Sequence, residues 1–369
     1  MMRFQMRVLA AAAALMLALP AVYAQTKLKT KKVIFVMTDG LRWQEVFQGA
    51  DAALLNKEAG GVADVAELKK AYWRETGEDR RNTLMPFFWS VISGQGQIYG
   101  NKEAGSEAYV TNGKNFSYPG YNEIFTGWGD PRVDSNAKKY NQNVTVLEWL
   151  HAKPAYKGKV AAFGAWDTFP WILNAPRAGF PVNAGYDAFE MKPMTPTVAL
   201  LNQLKTEAPR DVAGEAHDFY PFHTAMEYMR TKKPSVLYLS LGETDHWAHA
   251  GNYTEYLRAA HRVDEYLKRI WETAQKDPAY RGVTTLVVGV DHGRGEAPVT
   301  WKSHGEKLPQ AKYVWMAFMG PDTKALGERK NIPAVTQSQV AGTIASLLGE
   351  DYNAAEPKAG KPIADVVGH

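Results

Sequence analysis

Val33-Ile34-Phe35-Val36-Met37-Thr38-Asp39-Gly40 is an apolar, β-branched run that stops at an acid and a glycine. A run this short and this uniformly apolar suits a strand buried on both faces of a parallel sheet. Val160–Phe163, Val236–Leu241, Thr285–Val290 and Val314–Phe318 have the same character and read as further strands of that sheet. Between the runs, apolar residues at helical spacing predict helices over Thr145–His151, Pro196–Leu204, Asp218–Met229, Tyr253–Thr273 and Gln339–Leu348, with Thr or Ser near several starts. Strand and helix alternating over most of the chain predict an α/β fold, a doubly wound, mostly parallel sheet sandwiched by helices. Residues 51–113 show no clear alternation and are rich in Gly, aromatic and charged residues, so they are expected to form a cap or insertion.

Sheets of this class bind ligands outside the carboxyl ends of their strands. The first run ends at Asp39, Val236–Leu241 leads into Glu243-Thr244-Asp245, and Thr285–Val290 leads into Asp291-His292-Gly293. Asp245 and His249 stand four apart, which on a helical turn puts both side chains on one face, although a solvated surface pair has the same spacing. Asp39 and Asp291 also suit helix caps, and His292 and His304 suit solvated loops, when each is taken alone. Together, three Asp and three His form a donor set that fits two Zn²⁺ ions better than Mg²⁺ or Ca²⁺, with Mn²⁺ or Fe as substitutes. Two such ions would clamp the attacking and leaving oxygens of an in-line displacement.

A nucleophile is offered by Ser117 in Asn115-Phe116-Ser117-Tyr118-Pro119-Gly120-Tyr121-Asn122-Glu123-Ile124-Phe125-Thr126-Gly127, at the start of a helix-like stretch. A serine there can be only a helix cap, but the same position attracts phosphate through orphan N–H groups and the helix dipole.

Composition narrows the class. Cysteine is absent, which removes disulfides and thiolate chemistry and leaves His and carboxylates as metal ligands. A net charge of +4 over 369 residues, with Lys and Arg scattered, disfavours nucleic acid as a dedicated partner. Residues 1–24 read as a signal peptide: Arg3 and Arg7, an apolar run from Val8 to Leu19, then Val22-Tyr23-Ala24. That leader predicts a bacterial periplasmic or secreted protein with no stable membrane anchor after cleavage, and residues 25–369 as its catalytic domain.

The order Asp39, Ser117, Asp245/His249, Asp291/His292, His304 resembles the alkaline phosphatase superfamily. Within it, the chain looks like the nucleotide pyrophosphatase/phosphodiesterase branch and the phosphate-irrepressible phosphatases. The resemblance implies one zinc held by Asp245, His249 and His304, a second held by Asp39, Asp291, His292 and the Ser117 oxygen, and hydrolysis of phosphate esters through a phosphoserine. Where the phosphodiesterases carry Thr-Phe-Pro-Asn-His, this chain has Ser117-Tyr118-Pro119-Gly120-Tyr121, so the Asn-His contacts are lost. The sulfatase signature needs Arg where Tyr121 stands, which argues against formylglycine conversion. Sulfate or phosphonate ester hydrolysis on the same scaffold, and a non-catalytic metal-binding exported protein, are the competing readings.

Substrate choice is less legible. The phosphate-contacting Asn of these relatives falls near Asn136, Asn141 and Asn143, which the sequence does not separate. Trp166, Phe169 and Trp171 suit stacking on a base or aryl group as well as they suit packing, and Asn174, Arg177 or Lys302 could grip a phosphate or simply face solvent. The expected partner is a small-molecule phosphate ester.

Overall fold

The computed structural model describes residues 28–210 and 214–367, so the leader and its cleavage site lie outside the described residues. One eight-stranded sheet dominates, in the order β5-β4-β6-β1-β7-β8-β2-β9. Its members are β1 (Lys32–Thr38), β2 (Gly96–Tyr99), β4 (Val160–Gly164), β5 (Val182–Ala184), β6 (Val236–Leu241), β7 (Thr284–Val290), β8 (Met316–Met319) and β9 (Gly327–Glu328). Two short strands, β3 (Ala108–Tyr109) and β10 (Val335–Thr336), pair separately. β1 lies at the centre, parallel to β6 on one side and β7 on the other, and from Val33 to Thr38 every residue is buried. Burial on both faces is why the run contains no alternation.

The predicted helices form with small shifts at their ends. They are α2 (Val146–Ala152), α3 (Pro196–Glu207), α4 (Phe219–Lys232), α6 (Tyr253–Lys276) and α7 (Gln339–Leu347), joined by α1 (Ser117–Thr126) and α5 (Glu243–His249). Side chains cap several starts: Thr145 Oγ1 accepts from the Glu148 N–H, Thr195 Oγ1 from Val198, and Asn252 Oδ1 from Glu255. In α6 the buried residues Tyr256, Leu257, Ala260, Val263, Leu267 and Ile270 recur at helical spacing.

One expectation changes. Val314–Phe318 forms a strand two residues later, as β8, and it runs antiparallel to β7. The chain leaves β7 at the carboxyl edge, loops through His304 and re-enters from that same edge, which leaves only the antiparallel direction. The 51–113 segment contains helices Lys57–Gly60, Val65–Tyr72 and Gly77–Leu84, and its β2 is part of the main sheet. Asp264 of α6 ties that segment down by accepting the N–H groups of Phe87 and Phe88 at 2.8 and 2.7 Å.

Aromatic packing places α1. Phe125 meets Phe35 of β1 and Tyr238 of β6 edge-on, at centroid distances of 6.2 and 4.8 Å. At the other end of the helix, a Cβ on Gly120 would lie 2.4 Å from the Asp291 carbonyl oxygen, so only glycine permits this approach. The seating brings the first residue of α1, Ser117, to the carboxyl edge of the sheet.

Candidate metal centre

Asp39 directly follows β1, and its N–H still pairs with Leu241 of β6 at 2.9 Å. Gly40 then turns with φ +56°, donating its N–H to Asp291 Oδ1 at 3.1 Å; a Cβ here would meet Asp245 and Arg294 at 2.7 Å. Asp245 lies in the first turn of α5, and His249 one turn later brings Nε2 to 3.3 Å from Asp245 Oδ2. His292 follows β7. Its Nδ1 faces the Gly293 carbonyl at 2.8 Å, a pure acceptor, so Nδ1 carries the proton and Nε2 presents a lone pair.

That lone pair is the centre of the arrangement. His292 Nε2 lies 3.2 Å from Asp39 Oδ1, 3.6 Å from Asp291 Oδ2, 3.9 Å from Asp245 Oδ1 and 3.3 Å from Ser117 Oγ. His304 stacks on the His292 ring at 4.0 Å and sets its Nε2 2.9 Å from His249 Nε2 and 3.7 Å from Asp245 Oδ1. The ligand atoms fall into two groups, Asp39 with Asp291 and His292, and Asp245 with His292 and His304. His249, with its side chain about half exposed, closes the second group from the solvent side.

The residues fit resident cations. Asp39 Oδ1 and Asp291 Oδ2 are buried with no hydrogen-bond partner, an expensive state unless a cation takes them up. Burial and the charge of Asp245 push the Asp39 carboxyl well up, and burial and Asp39 do the same to Asp291. Burial alone would raise Asp245 too, but Arg294, His249 and His304 hold it well below the usual carboxylate range. Burial lowers His292 to about 4 and His304 to about 2, which keeps both imidazoles in the neutral, ligating form.

Sequence reasoning did not single out three further residues here. Arg294 is fully buried; Nη1 donates to Asp245 Oδ1, while Nε and Nη2 hold the carbonyls of Trp301 and Lys302, on the loop that leads to His304. Tyr121, marked in the sequence only as a departure from the phosphodiesterase pattern, donates its hydroxyl to Asp39 Oδ2 at 3.2 Å and lies 3.1 Å from Ser240 Oγ. Glu215 lies on a segment bridged to Trp166, with Oε1 against Gly242, where a Cβ would be only 1.6 Å away. Burial, then Asp39 and Asp245, push its carboxyl well up. Arg294 follows Asp291-His292 closely, a weak local signal; Glu215 carries none.

The substrate candidates separate. Asn136 Oδ1 accepts the N–H of Tyr118 at 3.0 Å, beside Ser117. Asn141 and Asn143 instead both donate to Asn122 Oδ1 at 3.1 Å, and Asn143 also to Asp130, in a network that braces α1. Asn174 donates to the Asn141 carbonyl. Arg177 forms a forked pair with Glu148 and holds the carbonyls of Gln142 and Asn143, so its guanidinium is committed away from Ser117 and the ligands. Phe169 is core, edge-on to Tyr121 at 4.8 Å; Trp171 stacks with Tyr140 at 5.9 Å. Trp166 is partly buried at the end of β4.

A family described as type I phosphodiesterase/nucleotide pyrophosphatase matches residues 67–339. The chain belongs to that family. Membership makes this chain a hydrolase of phosphoesters. No curated protein matches it. Solved structures share the fold: the alkaline phosphatase PafA at 12% identity covers 92% of this chain and 99% of its own, with a TM-score of 0.57. A phosphonate monoester hydrolase from Silicibacter pomeroyi matches at 15% identity over 92% of this chain and 77% of its own, TM-score 0.55. The lipoteichoic acid synthase LtaP from Listeria monocytogenes matches at 13% over 88% and 73%, TM-score 0.54. At these identities the structural matches speak for the fold alone.

Proposed function

We propose that this family member is an exported two-metal hydrolase of phosphate esters that works through a phosphoserine on Ser117. The observation that carries the reading is the position of Ser117 Oγ: first residue of α1, 3.3 Å from the one imidazole nitrogen that borders both ligand groups. Asp39, Asp291, His292 and Ser117 would hold one cation, and Asp245, His249 and His304 the other, zinc being the choice that three His and three Asp favour. Bound there, the cations would depress the Ser117 hydroxyl pKa and take up charge on the attacking and leaving oxygens.

The protein's own groups do the rest. Ser117 gives up its hydroxyl proton to solvent and its Oγ attacks phosphorus as the ester P–O bond breaks; the leaving oxygen takes a proton back from solvent, so the step is proton-neutral overall. In the first turn of α1 the Tyr118 N–H goes to Asn136, Pro119 has none and the Gly120 N–H goes to the Phe116 carbonyl, which leaves the Ser117 N–H to meet a transferring phosphoryl oxygen. Asn136, bonded through Oδ1 to the Tyr118 N–H, would offer its amide N–H₂ to the phosphoryl oxygens. Water then attacks the phosphoserine from the side the alcohol left, restoring the Ser117 hydroxyl and releasing phosphate from a monoester or a phosphate monoester from a diester.

The test is turnover of a bis-aryl phosphodiester, the matching monoester, and aryl sulfate and phosphonate esters, before and after chelation, with Ser117→Ala beside the wild type. The expected result is cation-restored phosphate ester turnover that Ser117→Ala abolishes while still binding cations. Turnover of sulfate or phosphonate esters alone, or of none, would overturn the proposal.

A further inference from the structure

Glu215 is an acid beside a site that already holds three. Its segment runs antiparallel to the end of β4: Trp166 and Glu215 are bridge partners, Ala216 donates to the Ala165 carbonyl at 2.9 Å, and Asp167 to the Gly214 carbonyl at 2.7 Å. Bridge partners present their side chains on one face, so the Trp166 indole and the Glu215 carboxylate stand together. The glycine at 242 lets Glu215 Oε1 lie over the backbone three residues before Asp245.

The neighbouring cations are committed elsewhere. His217 and Arg262 both pair with Glu243, and Arg294 pairs with Asp245. Among the described residues Glu215 has no hydrogen-bond or ion-pair partner, and it is only partly buried. The strongest charges it feels are those of Asp39 and Asp245. An acid serving only the fold would be expected to acquire a partner in such a place.

We infer that Glu215 determines specificity, selecting monoanionic phosphodiesters over dianionic monoesters. The inference rests on the two-cation reading given above. With two divalent cations bound and the Ser117 hydroxyl still protonated, Arg294 and the carboxylates of Asp39, Asp245 and Asp291 leave a net charge of about +2, the complement of a dianion. Glu215 lowers this to about +1, the complement of a diester. Burial and then the bare carboxylates push the Glu215 carboxyl up; the bound cations would oppose this by turning that repulsion into attraction, which favours the ionised form. The Trp166 indole on the same face gives the second ester arm an apolar surface to lie on.

The experiment compares Glu215→Gln with the wild type as full chains reconstituted with zinc. It measures kcat/KM for a bis-aryl phosphodiester and its matching aryl monoester, the Kd of inorganic phosphate by calorimetry, and cation content. One unit charge several ångströms away at an effective dielectric of about 20 predicts a ten- to fiftyfold rise in the monoester-to-diester ratio, on the order of magnitude. Phosphate, as a dianion that feels the lost charge twice over, should bind more tightly by at least that factor, with cation content unchanged. Glu215→Asp keeps the charge and should keep the wild-type ratio, and Glu215→Ala repeats the test should the glutamine variant not fold. A ratio and a phosphate Kd that both stay within about threefold of wild type, well below that electrostatic expectation, would overturn the inference. If the wild type turns over neither ester, the phosphoester proposal fails separately, and the phosphate Kd alone decides the role of Glu215.

Discussion

Replacing Gly120 with alanine tests whether the nucleophile is placed by backbone packing. The added Cβ would lie 2.4 Å from the Asp291 carbonyl oxygen and 3.1 Å from its carbon, where ordinary contact begins at 3.4 Å. The Asp291 backbone is held by the sheet and by Gln337 Nε2, which donates to its carbonyl at 2.8 Å, so the helix must yield instead. α1 then retreats by about 1 Å, because close-packed interiors leave no other slack. Ser117 Oγ, 3.3 Å from His292 Nε2, moves with it. A displacement of about 1 Å in a reacting group costs on the order of 100-fold in rate, and overpacking of this kind costs about 1–3 kcal/mol of stability. The assay is kcat on a bis-aryl phosphodiester at saturating zinc, with the urea midpoint and cation content measured on the same preparation. The expected result is a folded, cation-loaded protein about 100-fold slower. A variant within about threefold of wild type would refute the claim that glycine is required for this approach.

Tyr121→Phe removes the hydroxyl that donates to Asp39 Oδ2; loss of such an outer contact should weaken cation binding by roughly tenfold, read by competition with a chelator, and unchanged affinity would contradict the assignment. Arg294→Met leaves Asp245 without its buried partner and should cost about 3–5 kcal/mol in the presence of chelator. Much of that loss should return with zinc, which supplies Asp245 with a new positive neighbour; urea midpoints with and without zinc check both parts. Lys205 donates to Asn183 Oδ1 and the Asp187 carbonyl, and burial lowers it to about 8 from 10.5. Between those values the unfolded chain holds more protons than the folded one, so this group's contribution to stability rises with pH from about 8 to 10.5, on the order of 3 kcal/mol. The difference in unfolding free energy between wild type and Lys205→Met, followed over that range, should show the rise, and a flat difference would rule it out.

Most of what the sequence revealed is local. Strand runs, helix spacing and the acids or imidazoles that end β1, β6 and β7 are readable because burial on both faces and the carboxyl-edge rule act on neighbouring residues. The pairing of Asp245 with His249 follows from one helical turn, and the order of the six candidate ligands indicated the superfamily. The antiparallel direction of β8 and the entry of β2 into the main sheet were not readable, since both depend on where a loop re-enters the fold. The same holds within the site. Asn136 is separated from Asn141 and Asn143 only by which face of α1 the following loop reaches. Arg294, Tyr121 and Glu215 look like ordinary charged or aromatic residues in the chain. Their roles come from contacts such as Tyr121 with Asp39 and Arg294 with Asp245, across 82 and 49 residues. Sequence alone determined which chemistry the sheet edge could carry; tertiary packing decided which side chains share the low-dielectric space around it, and that sharing sets charge, proton position and reach.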